Sequence, residues 1–163
     1  LGRPVTLASP GQALALYESC FGKAQQGLVT CCLFLDNHVY GGVTFGQKLL
    51  RGANNIVGAW GHMPLAWPVS YELERRDCWC GRNRSLEKFL PCGGLVNKYF
   101  NITQTKLDIQ AIADAADFSD LVASSVLQVL DERIDRSTAA IINMFDPNVI
   151  ILGRLIAKLN WPF

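Results

Sequence analysis

The chain has 163 residues, sets 15 basic against 14 acidic side chains, and is half apolar. That length and apolar fraction suit one domain with a core; a charged fraction of 18% is too low for a disordered tail and too balanced for a nucleic-acid surface. No apolar run reaches the ~20 residues a membrane helix requires, and the start at Leu1 has no signal-peptide pattern, so the chain reads as a piece of a longer cytoplasmic polypeptide.

Ser9-Pro10 reads as an N-cap followed by proline in the first turn, opening a helix that runs through Ala13, Leu14, Leu16 and Tyr17 to about Cys20. Residues 28–35 (LVTCCLFL) form an apolar run of strand length, buried on both faces, and residues 39–50 predict a second strand and a turn near Gly46, hence a hairpin. From 52 to 83 the chain is rich in Gly, Pro, Trp and Arg without a period, and a loop of that length needs an organiser. Helical periodicity returns at 85–100 and 107–116. The clearest helix is 119–145, with Ser119 as N-cap, Val122, Val126, Val129, Ile134 and Ile141 on the buried stripe, and Asp131, Glu132, Asp135 and Arg136 on the wet side. Asp146-Pro147 ends it, and Val149 begins a strand that ends at Gly153. The class is α/β.

The six cysteines do not resemble a secreted disulfide framework. Cys31 and Cys32 are adjacent in a strand and point to opposite faces; with Cys20 and Cys92 they read as small buried hydrophobes. Cys78-Trp79-Cys80 differs. Together with His62 it offers one imidazole and two thiolates, three corners of a zinc tetrahedron, and zinc would organise the long loop. Ser85 is a poor fourth ligand, leaving Asp77, His38 or water. The same residues also read as two packed thiols and a surface histidine.

The motifs G-A-W-G-H-M-P-L-A-W-P, C-W-C-G-R-N-R-S-L-E and D-P-N-V-I-I-L-G, with L-L-R-G-A-N at 49–54, resemble the ROK family of bacterial sugar kinases and repressors, and P-L-A-W-P is most similar to its fructokinase branch. The resemblance implies an actin-like, ribonuclease-H-like α/β fold. Residues 1–163 would be one partial domain, the C-terminal half of a two-domain kinase and incomplete at both ends. Residues 1–20 would close the catalytic helix region, and 52–87 would form a zinc loop. It also implies ATP and magnesium, a hexose of the fructose type, and a carboxylate that takes the proton from the attacking sugar hydroxyl. Zinc would be held by His62, Cys78 and Cys80, and His62 and Glu87 would bind substrate.

Residue by residue, the match fails at the catalytic positions. The family's catalytic aspartate falls on Pro10, which cannot accept a proton, and its sugar-binding Asn and Glu fall on Ser9 and Ala59. The glycine-rich phosphate turn reads Asp36 to Gly42, with side chains where backbone must meet an anion, and the third zinc cysteine is Ser85. Asp36 and His38, as substitute bases, lie on a different element. No catalytic residue is therefore assigned, and the chain is expected to be inactive as a kinase. The alternatives are a non-catalytic sugar-binding or oligomerisation domain, and the effector half of a ROK-type repressor; P-L-A-W-P favours the kinase lineage over the repressor. Around Arg75, Arg76, Arg82 and Arg84 a solvated rim is expected, and around Trp60, Trp67 and Trp79 loop packing. Exposed Ile156, Leu159, Trp161 and Phe163 would make the chain a homo-oligomer.

Overall fold

The computed structural model describes residues 2–3, 5–74 and 76–154; the expected association surface at Ile156, Leu159, Trp161 and Phe163, and Arg75 of the arginine rim, lie outside these. Four strands form one sheet in the order β3-β2-β1-β4, with β1 at Val29–Leu35, β2 at Val39–Phe45, β3 at Lys48–Leu49 and β4 at Val149–Arg154. The β1–β2 and β2–β3 pairs are antiparallel and β4 runs parallel to β1, so the apolar run at 29–35 is the central strand. Asn148 fixes the entry to β4: its side-chain oxygen accepts from the Val29 N–H and its own N–H donates to the Val29 carbonyl, each at 2.9 Å.

Helix α1, Pro10–Cys20, begins as the sequence predicts, with Ser9 as N-cap in a reciprocal capping box with Gln12 and proline in the first turn. It packs on one face of the sheet, where Gly42, the partner of Cys32, faces Ala15. Cys31, Leu33 and Leu35 project from the other face. There they join a core with residues of α2 (Cys92–Thr103), α3 (Ile109–Asp117) and α4 (Leu121–Phe145). Cys20, Cys31, Cys32, Cys78 and Cys80 form no disulfide. Burial pushes the Cys31 thiol up to about 11; burial, helped by the nearby charges of Glu18 and Cys31, pushes Cys32 up to about 12, so both are inert apolar side chains.

Three expectations are corrected. The N-cap of α4 is Asp120, whose carboxylate accepts from the N–H groups of Val122 and Ala123; Ser119 instead turns the chain at φ +72°. The helical periodicity at 85–100 is broken, because a single turn of 3-10 helix at Leu86–Lys88 ends before α2, which starts after Pro91. Arg136 does not lie on a wet face. Its guanidinium reaches across to Glu72 and to the carbonyls of Ala66 and Trp67.

The long loop is ordered by its own backbone. Bridges Pro64–Ser85 and Asp77–Asn83 close it on itself, and the Leu65 N–H to Arg84 carbonyl and Leu86 N–H to Met63 carbonyl bonds hold its two limbs together at 2.9 and 2.8 Å.

Candidate functional site

The capped start of α1, the β1–β2 hairpin and the long loop enclose a cavity of about 500 Å3. Ser9 and Gln12 line it from the helix, His38 to Gly41 from the hairpin, Asn55 to Ala59 with His62, Trp79 and Glu87 from the loop. The closure of the Pro64–Ser85 bridge places His62 and Glu87 on the same wall although they are far apart in sequence. Pro10 occupies the first turn of α1 beside this space, exposed, and contributes no acceptor. Much of the remaining polarity is already used: Ser9 and Gln12 bond each other in the capping box, and the Gln12 amide donates to the Val57 carbonyl at 3.3 Å.

Among the described residues Glu87 is the one carboxylate lining the cavity, and it is engaged on both oxygens. One accepts the Val39 N–H at 2.9 Å; the other pairs with Nδ1 of His38. The Glu87 side chain is 8% exposed, whereas His38 is 57% exposed, so the imidazole stands at the cavity wall with its inner nitrogen committed to the carboxylate. His38 is not among the residues that offer ligand atoms to the metal group. Its pairing with Glu87 is the contact the sequence did not reveal, since no motif links position 38 to position 87.

His62, Cys78 and Cys80 offer ligand atoms all within 4.8 Å of one another, so the loop brings these three residues together. The Cys78 sulfur lies 3.8 Å from Nδ1 of His62. Burial pushes the Cys78 thiol up, but hydrogen bonds from the Cys80 backbone, the Cys80 thiol and His62 help to outweigh it and bring it down to about 7. Ser85 is buried and its hydroxyl oxygen has no hydrogen-bond partner of good geometry, an orphaned polar atom beside the thiols. Asp77 does not join the group. One imidazole with two thiols suits zinc, so the residues fit three of its four corners. Beside them Trp79, 76% exposed, meets the His62 ring edge-on at 4.9 Å. Trp60 is buried and packs as expected, but Trp67 and Trp79 are largely exposed.

The glycine-rich stretch has been put to another use. A Cβ on Gly41 would sit 1.9 Å from the Trp60 indole, and one on Gly42 would sit 2.7 Å from Cα of Gln12. These glycines let α1 and Trp60 approach the β2 backbone.

Sheet, crossover and loop together define an α/β sugar-kinase-like half. The chain belongs to the ROK family, whose model matches residues 1–160. It is 25% identical over 155 residues to the N-acetylgalactosamine kinase AgaK of Shewanella sp., covering 94% of this chain and 50% of that protein. It is 28% identical over 166 residues to an N-acetyl-D-glucosamine kinase of Histophilus somni, covering 99% and 54%. Among solved structures, a ROK hexokinase from Thermus thermophilus superposes with a TM-score of 0.83 at 27% identity, over 99% of this chain and 53% of that one. A ROK family transcriptional regulator superposes with a TM-score of 0.78 at 23% identity, over 91% and 39%, a likeness of fold alone. The chain spans about half the length of the curated relatives it matches. No helix among the described residues is long and apolar enough to cross a membrane.

Proposed function

We propose that this chain is a sugar-kinase frame that keeps a hexose pocket and a zinc loop but transfers no phosphate. The observation that supports the reading is the pocket's carboxylate inventory: Glu87, the one carboxylate among the described lining residues, is bonded to His38 and Val39, and the family resemblance aligns Pro10 with the proton-accepting aspartate. A general base contributes ~10²–10⁴-fold to such a transfer, and the described lining residues offer no second carboxylate to supply it. In this reading Glu87, His62 and the exposed Trp79 face contact the sugar. His62, Cys78 and Cys80 hold zinc, which neutralises the thiolates and fixes the loop. ATP and magnesium belong to the frame's lineage, and the side chains of Asp36 to Tyr40 obstruct the turn that would meet the phosphates.

Fructose is the ligand favoured by P-L-A-W-P; the names of the relatives point instead to N-acetylhexosamines. The proposal extends to association of copies in a cytoplasmic setting, supported by the exposed rings of Tyr17, Phe21 and Phe45. A repressor effector half shares the fold but finds no specific support.

The test is ATP-dependent phosphorylation and calorimetric binding with fructose, glucose, N-acetylglucosamine and N-acetylgalactosamine, beside an active family kinase. The expected result is saturable binding of one sugar, weakened roughly tenfold by Glu87→Gln, without turnover. Turnover that tracks the purified chain and falls with Glu87→Gln would overturn the inactive reading.

A further inference from the structure

A second cavity, of about 530 Å3, lies between α2, α4 and the loop stretch 71–89, and it shares no lining residue with the sugar pocket. We propose that it binds a phosphorylated small molecule, the phosphoryl group held by Arg76, Lys88 and Lys98 and the body of the molecule resting on an apolar floor.

The charge arrangement points this way. Arg76 and Arg133 both lie over the ring of Phe89, each with its guanidinium carbon 5.1 Å from the centroid. Arg133 is already spent: its Nε donates to Glu72 at 2.7 Å, and Arg136 shares the same carboxylate. Two guanidiniums on one carboxylate leave an unbalanced positive charge under the cavity. Arg76, Lys88 and Lys98 add three more, and among the described lining residues Glu74 is the one acid. Lys98 is half-buried, and no ion pair is found for it among the described residues. Burial, then the charges of Arg133 and Arg76, push its ammonium below the ordinary lysine range against the pull of Glu72. A side chain held in that field is stabilised by an anion and by little else.

The anion's class follows from the balance. Among the described lining residues Arg76, Lys88 and Lys98 outnumber Glu74 by two charges, above the further excess of Arg133 and Arg136 over Glu72, and a phosphate dianion offsets such an excess better than a single carboxylate. Asn97 and Asn101 supply neutral amides at the rim, and Leu95, Val126 and Leu130 form the floor, so the cavity suits a phosphate ester with an apolar face.

Calorimetry at low ionic strength, with inorganic phosphate and pyrophosphate as probes and no sugar present, tests the assignment. The expected result is saturable binding of one equivalent of pyrophosphate, weakened roughly tenfold or more by Lys98→Met and by Arg76→Gln, while Lys48→Met on β3 leaves it unchanged. In phosphate-free buffer Lys98→Met should unfold at the parental temperature or above it, because the crowded charge is gone, and should lose the stabilisation pyrophosphate gives the parent. The proposal is overturned by absence of saturable binding, by equal weakening in Lys48→Met, or by parental affinity in both cavity variants. A lower phosphate-free midpoint for Lys98→Met would also overturn it, since the ammonium would then be satisfied within the chain.

Discussion

Ser85 stands where a fourth donor would complete the His62, Cys78 and Cys80 group, buried and with its hydroxyl unpartnered. A hydroxyl is a far weaker zinc ligand than a thiolate, so the group should release metal to a mild chelator. Ser85→Cys is expected to tighten zinc binding at least about tenfold, read by competition with a chromophoric chelator. Unchanged affinity would mean that the three residues are packed thiols and a histidine rather than a zinc site. At the same scale, His38 shows how one side chain resets a pocket. By pairing with Glu87 it takes up part of the hydrogen-bonding capacity of the cavity's carboxylate and adds an imidazole to the same wall.

Among the elements, the close approach of α1 and Trp60 to β2 depends on glycine. The Trp60 indole N–H donates to the Cys32 carbonyl at 2.7 Å, across the space a Gly41 Cβ would fill. Both the indole and the strand backbone are fixed, so neither can yield cheaply. Gly41→Ala should destabilise the chain by about 3 kcal/mol in urea unfolding. A loss under half that would show that the ring can move aside. Helix α4 carries a different strain. Burial, and then the charges of Asp135 and Glu132, push the Asp131 carboxyl up to about 6. A carboxyl raised in the folded state penalises folding above that pH, and the penalty fades as pH falls toward its ordinary value of 3.8. After solvent screening, Asp131→Asn should add about 1 kcal/mol at pH 7 and nothing at pH 4.

For the molecule as a whole, Glu72 joins the long loop to the helical layer. It is fully buried, accepts from Arg133 and from both terminal nitrogens of Arg136, and also takes the Val69 N–H at 3.1 Å. Burial raises its carboxyl, but the hydrogen bonds from Arg136, Arg133 and Val69 win and hold it down at about 2. A depressed carboxyl contributes stability that is complete above its ordinary value of 4.5 and is lost as pH falls from there toward 2. Glu72→Gln should destabilise the chain by about 3 kcal/mol at pH 7, by leaving two guanidiniums without their partner, and should flatten the acid limb of the stability curve. If that limb keeps its slope in the variant, the loop is anchored elsewhere.

The sequence by itself determined the local elements and much of the site. Ser9-Pro10 set the start of α1 and the apolar run at 29–35 marked the central strand, because each rests on near-neighbour chemistry; His62, Cys78 and Cys80, picked out as a candidate metal group, are brought within 4.8 Å of one another by the folded loop. It missed the N-cap of α4, where Asp120 accepts from two N–H groups and Ser119 turns the chain with a positive φ, a choice between adjacent polar residues made by backbone angles. Only the tertiary structure decided the long-range pairings. His38 meeting Glu87, and Arg133 and Arg136 meeting Glu72, join residues from separate elements. Charge patterning along one helix assigned Arg136 to solvent, whereas a carboxylate buried 64 positions away draws it inward. A periodic pattern reports which face of an element is apolar; what the opposite face meets depends on where the loop returns, and here the Pro64–Ser85 bridge and the Glu72 anchor fix that return.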